Sequence, residues 1–168
     1  MAGASSFKDK PLPSFAEPPH MMIIEAPYYK DVADKLREGA LSVLQKAGVS
    51  HEIHQVPGAL EIPPAIQYAV RSLDFYTARK RYDGYIALGC VIRGETSHYD
   101  IVAGESARGL MDLSIHHSLA IGNGILTCDT LEQATERANP AGQDKGGWAA
   151  RTAVEMLGLK ATFGIYPR

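Results

Sequence analysis

Apolar positions along the chain change their spacing often enough to divide it into short elements. Met21-Met22-Ile23-Ile24 is a compact apolar run that predicts a strand, and Ala26-Pro27-Tyr28-Tyr29 breaks it. Val32, Leu36, Ala40, Val43 and Ala47 then follow at spacings of four, four, three and four, which is one face of a helix. Gly48 just beyond them is a stop signal. Residues 51–56 form a weaker strand candidate, since only Ile53 and Val56 are apolar, and Pro57-Gly58 ends it. Residues 60–76 read as a helix beginning near Pro63-Pro64, because proline is tolerated in a first turn. An apolar strand over 85–91 and a helix over 99–118 come next.

The Gly122-Asn123-Gly124 triplet would normally mark a hairpin turn. Too few apolar residues flank it for two strands, so 120–126 reads as one strand. Its glycines would let a ligand or another backbone come close. Thr130 and Gln133 form a capping box that opens a helix through Ala138, and Asn139-Pro140 stops it. A last helix over 147–157 carries Ala149, Thr152, Ala153 and Met156 on one face, with Gly158 closing it.

Strands thus alternate with helices, the pattern of an α/β fold: a parallel sheet covered on both faces, with ligands at the C-terminal strand ends. Residues 1–20 hold Pro11, Pro13, Pro18 and Pro19 with few large apolar side chains. They read as a flexible N-terminal arm, leaving 21–168 as a single domain. At 168 residues, 45% hydrophobic and 21% charged, the composition is that of a soluble globular protein with a sizeable core. A net charge of −2 argues against a general nucleic-acid binder. No run is long enough for a membrane span, and the N-terminus lacks the apolar core of a secretory signal. Cys90 and Cys128 sit in strand-like runs and read as buried free thiols, consistent with a reducing cytoplasm.

Candidate chemistry concentrates in loops that follow strands: Pro27-Tyr28-Tyr29, Pro57 to Glu61, and Arg93 to His98. In the last, a strand feeds a glycine-containing turn and then a helix start, where unpaired backbone N–H groups suit an anion. His98 in that turn reads either as a solvated polar residue or as a proton-transfer group, with Arg93, Glu95 and Thr96 as company. Arg137 and Lys145 are either ordinary surface charges or phosphate ligands. Gly104-Glu105-Ser106-Ala107-Arg108 imitates a nucleophile elbow but has Arg108 where the second glycine belongs. His51-x-x-His54 and His116-His117 lack companion metal ligands, and neither a dinucleotide nor a P-loop glycine motif occurs.

Two segments carry a resemblance to a known family: Val56-Pro57-Gly58-Ala59-Leu60-Glu61-Ile62-Pro63 and Gly89-Cys90-Val91-Ile92-Arg93-Gly94-Glu95-Thr96-Ser97-His98-Tyr99-Asp100. Leu126-Thr127, Thr130-Leu131-Glu132-Gln133-Ala134, Glu136-Arg137-Ala138 and Lys145-Gly146 follow in order. Together they resemble the 6,7-dimethyl-8-ribityllumazine synthases of riboflavin biosynthesis. The resemblance covers roughly residues 23–157.

It implies a flavodoxin-like three-layer sandwich with a four-stranded parallel sheet. It also implies condensation of 5-amino-6-(D-ribitylamino)uracil with 3,4-dihydroxy-2-butanone 4-phosphate, without metal or cofactor. By position, His98 would transfer protons and Tyr28 would stack on the pyrimidine. Gly58, Ala59, Leu60 and Glu61 would line the ribityl and pyrimidine pocket, and Cys90, Val91 and Ile92 would contact the pyrimidine through backbone groups. Asn123 stands at a substrate position where many members carry phenylalanine. Gly94, Glu95 and Thr96 would hold the phosphate, with Arg137 from a neighbouring subunit and Lys145 close by. Pro27 and Leu60 depart from the usual arginine and phenylalanine without emptying any charged role.

The family builds pentamers, and some members join into shells by lending the N-terminal segment to a neighbour's sheet. Prolines at 11, 13, 18 and 19 oppose such pairing, so a free cytoplasmic homopentamer with sites at subunit interfaces is expected. A non-catalytic flavin- or lumazine-binding relative and a flavodoxin-like electron carrier are the rival readings; intact His98 and Arg137 oppose the first.

Overall fold

The computed structural model of the chain describes residues 10–75 and 82–167. Its strands are β1 (His20–Glu25), β2 (Ser50–Gln55), β3 (Gly84–Ile92) and β4 (Ala120–Cys128). They form one parallel sheet in the order β2-β1-β3-β4. The α-helices are α1 (Lys30–Lys46), α2 (Ile62–Arg71), α3 (His98–His116), α4 (Leu131–Ala138) and α5 (Lys145–Thr162).

Alternation along the strands sends successive side chains to opposite faces and divides the core in two. Met21, Ile23, Ile86 and Leu88 pack against Leu36 and Leu44 of α1 and Ala150, Val154 and Leu157 of α5. Met22, Ile24, Tyr85 and Ala87 meet Ile62 and Ile66 of α2 and Leu110 and Leu113 of α3 on the other face. The architecture is therefore the expected three-layer α/β arrangement. Strand β2 explains its own weak signal: all six of its residues are exposed at the sheet edge, so burial imposes no apolar alternation there.

The expected helix over 60–76 is divided in the structure. A 3-10 turn, Ala59–Glu61, leads into α2, and a second turn, Ser72–Asp74, ends it; residue 76 lies outside the described residues. Helix α5 is longer than its apolar pattern predicted. Asp144 caps it by accepting the Gly147 N–H at 3.0 Å, and the helix runs on through Gly158. That glycine serves packing instead of termination, since a Cβ there would lie 2.7 Å from the Pro13 ring. Leu12 and Phe15 also pack against the core, Phe15 stands edge-on to Tyr166 at 5.7 Å, and Arg151 donates to the Lys10 carbonyl. Residues 10–19 thus lie along their own subunit, and residues 1–9 of the expected arm fall outside the described residues.

Two features fix the sheet to the elements around it. Glu25, only 1% exposed, accepts Arg37 Nη1 at 2.8 and 3.0 Å and Gln55 Nε2 at 2.7 Å, tying α1 and β2 to the end of β1. A buried carboxylate is tolerated because these donors satisfy it. At β4, the glycine triplet belongs to one continuous strand, and the close backbone is that of α5. A Cβ on Gly122 would sit 1.8 Å from the Ala149 carbonyl oxygen. Gly122→Ala must push the helix off the strand. It is expected to lower stability in urea unfolding by about 1–3 kcal/mol, the usual cost of overpacking a core.

Candidate active site

Loops at the C-terminal ends of β1, β2 and β3 enclose a cavity of about 500 Å³. Ala26, Tyr28 and Tyr29 come from the first connection, and Pro57 to Glu61 from the second. Cys90, Val91 and Ile92 end the third strand, Gly94 and Thr96 follow in its turn, and His98, Tyr99 and Val102 begin α3. The inner wall is apolar, built where Ala59, Val91 and Val102 pack together. The rim carries the polar groups of Glu61, Thr96 and His98. Tyr28 is 75% exposed, with its ring edge-on to Tyr29 at 5.0 Å, so one aromatic face remains for a planar ligand.

His98 is the first residue of α3 and is exposed to solvent. Its backbone N–H donates to Thr96 Oγ1 at 3.3 Å, which fixes the turn that presents the imidazole. Ser97 occupies the N-cap position without a side-chain capping bond. A 19-residue helix therefore opens toward the cavity with no hydroxyl cap from Ser97, a favourable setting for an anion. Burial pushes the Cys90 thiol up to about 12, with Cys128 adding to the shift. At neutral pH Cys90 is a protonated wall of the cavity and cannot serve as a thiolate nucleophile. Burial also raises the Tyr29 hydroxyl, keeping that ring neutral.

Arg93 is not part of the lining. Its Nη2 donates to Asp100 at 3.2 Å, its Nε to Asp129 at 3.3 Å, and its guanidinium lies 4.0 Å from the Tyr99 ring centroid. Arg137 and Lys145 belong to a second cavity of about 400 Å³ on β4, α4 and α5, which also includes Asn123, Thr127, Trp148 and Thr152. Arg137 is half-buried there and donates to the Gln133 carbonyl at 3.1 Å.

The sequence-derived residues therefore fall into two groups within one chain. Tyr28, Gly58, Ala59, Leu60, Glu61, Cys90, Val91, Ile92, Gly94, Thr96 and His98 share the first cavity; Asn123, Arg137 and Lys145 share the second. Glu95 is exposed in the turn and lines neither cavity. Sequence reasoning placed Tyr29 and Pro57 in candidate loops and Tyr99 and Thr127 in the family motifs without giving them a role, and it did not mention Trp148. Tyr29 and Tyr99 each adjoin a residue to which a role was given, Tyr28 and His98. Nothing in the local pattern marked Trp148. Among the described residues, no three His, Cys, Asp or Glu side chains gather as a metal site, and no helix is long and apolar enough to cross a membrane.

A three-layer α/β domain with an apolar, aromatic-edged cavity against an open helix start defines a class of small-molecule site at the carboxyl edge of a parallel sheet. The family profile for 6,7-dimethyl-8-ribityllumazine synthase matches residues 18–161. The chain is 53% identical over 146 residues to a Bartonella bacilliformis protein of that name, covering 87% of this chain and 93% of the relative. It is 52% identical over 146 residues to an Agrobacterium fabrum protein of the same name, covering 87% and 97%. A Rhizobium meliloti protein named 6,7-dimethyl-8-ribityllumazine synthase 1 is 53% identical over 148 residues, covering 88% and 95%. The chain belongs to the 6,7-dimethyl-8-ribityllumazine synthase family.

Proposed function

We propose that this protein is a transferase of riboflavin biosynthesis that makes 6,7-dimethyl-8-ribityllumazine. It joins 5-amino-6-(D-ribitylamino)uracil to 3,4-dihydroxy-2-butanone 4-phosphate and releases phosphate and water. The observation that carries the reading is the joining, in one cavity, of Tyr28 and an apolar wall with Glu61, Thr96 and His98 at an open helix start. A planar pyrimidine, a polyol and a phosphate are the ligand parts that such surfaces suit.

Each part of the reaction has a residue suited to it. The pyrimidine stacks on Tyr28 and lies against Cys90, Val91 and Ile92, whose backbone groups meet its polar edge. Glu61 accepts hydrogen bonds from the ribityl hydroxyls beside Gly58, Ala59 and Leu60. Gly94 and Thr96 receive the phosphate at the start of α3, and Glu95, whose side chain lines neither cavity, would take part only through its backbone. The amine of the pyrimidine attacks the ketone, and loss of water gives an imine. Proton removal next to the imine carbon then expels phosphate as the leaving group. The enol so formed tautomerises to a ketone, and the ribityl-bearing nitrogen closes on it with loss of a second water. The sequence is redox-neutral and requires no external electron acceptor.

His98 moves protons in these steps, since imidazole both gives and takes them near neutral pH. Two substrates held in register supply much of the rate without any covalent catalyst. Arg137 and Lys145 complete the phosphate site from an adjacent copy, Asn123 of that copy facing the pyrimidine end. The separation of the two cavities within one chain supports this reading. The assembly is a cytoplasmic homopentamer, with residues 21–168 as its domain. Residues 10–19 pack on the core and α5 of their own chain, which supports a free pentamer over a shell.

Two measurements test the proposal. Native mass spectrometry is expected to give five chains; a shell-sized particle would reject the free pentamer. In an assay of lumazine absorbance, His98→Ala should slow turnover on the order of 10²-fold without abolishing it. Arg137→Ala should mainly raise KM for the phosphate substrate. Unchanged single-turnover kinetics in both variants would contradict the assignment.

A further inference from the structure

Arg93 is the only basic residue in the turn between β3 and α3, yet it contacts acidic groups and an aromatic ring and stays out of the cavity lining. Its partner Asp129 is itself held to α4, because the Asp129 N–H donates to Gln133 Oε1 at 2.9 Å. These ion pairs are exposed, so they contribute little to the stability of the fold.

Their consequence lies in where Asp100 stands. With Ser97 as the N-cap and His98 first in the helix, Asp100 occupies the third helical position. A carboxylate there ordinarily reaches back to the backbone N–H of the cap residue. Here Asp100 Oδ1 accepts from Arg93 Nη2 instead. A carboxylate turned back on its own helix would occupy a backbone donor. It would also place negative charge where the phosphate is received.

We propose that Arg93 is a positioning residue for the condensation: by holding Asp100 outward, it keeps the N-terminus of α3 open to the substrate's phosphate group. This rests on the reading of the cavity given under Proposed function and adds a residue that touches no substrate. The distinguishing feature is that the harm done by losing Arg93 comes from Asp100, so removing Asp100 as well should undo it.

The test titrates the assembled protein with inorganic phosphate by calorimetry and measures KM for the phosphate substrate in parallel. R93M should weaken phosphate binding and raise that KM about three- to tenfold, in line with the effect of one charge at a helix end. D100A alone should bind phosphate at least as well as the wild type. R93M/D100A should return to near wild-type binding. A double variant as weak as R93M would overturn the proposal, since a purely structural Arg93 cannot be rescued by deleting its partner. Wild-type binding in R93M, or no phosphate binding by the wild type, would overturn it equally. Should R93M fail to fold, R93K and R93K/D100A supply the same comparison, with a smaller loss that D100A again removes. Failure of the wild type to form lumazine would reject the enzyme reading alone, because the phosphate titration reads Arg93 without turnover.

Discussion

The contact on which the rest depends is the backbone approach of α5 to β4 and α1. A Cβ at Gly122 would meet the Ala149 carbonyl at 1.8 Å, and one at Gly146 would meet the Leu36 carbonyl at 1.9 Å. No side chain fits at either position, so the helix settles directly on the strand and on its neighbouring helix. Its small buried residues, Ala149, Ala150 and Ala153, then complete the core beneath the sheet. With α5 fixed, Lys145 and Trp148 stand beside Arg137 and the outer strand. One cavity is thereby built on β4, α4 and α5, and the other on the loops of β1, β2 and β3; in the proposed enzyme they are the two halves of one site.

In the proposed enzyme, that division lets so small a domain host a two-substrate reaction without a covalent catalyst. The His98 half offers an apolar wall, an exposed aromatic ring and an open helix start, all held by backbone geometry. Partial burial keeps the Cys90 thiol protonated, so this part of the wall offers no thiolate nucleophile. Just outside, Arg93 pairs with Asp100 and Asp129, and in the proposed role it keeps the Asp100 carboxylate off the helix start. In the proposed enzyme the phosphate then meets backbone donors on one side and a neighbour's cations on the other.

Much of this was legible in the chain. The spacing of Val32, Leu36 and Ala40 marks a helix because one face must pack on a sheet, and all three are buried. Gly122-Asn123-Gly124 read as a strand open to a ligand or another backbone, and the structure brings the backbone of α5 there. Glycine at 158 misled, because a glycine that stops a helix and one that admits a proline look alike in sequence. Strand β2 was faint because an edge strand with six exposed residues has no burial to advertise. The first cavity's residues were found through strand-end loops and the family pattern, though Tyr29 and Tyr99 were named there without a role beside Tyr28 and His98. Arg93 was read only as company for His98 in the turn, and only the structure reveals its engagement with Asp100 and Asp129.

The central claim is that a working site needs two copies of the chain. Subunit complementation addresses it most directly. His98→Ala and Arg137→Ala proteins would be mixed after dissociation, reassembled, and assayed at low phosphate-substrate concentration. If the site spans an interface, about a quarter of interfaces in an equal mixture combine an intact His98 half with an intact Arg137 half, and activity should rise well above either variant alone. Activity no greater than the mean of the two variants, in assemblies verified to be mixed, would contradict the account.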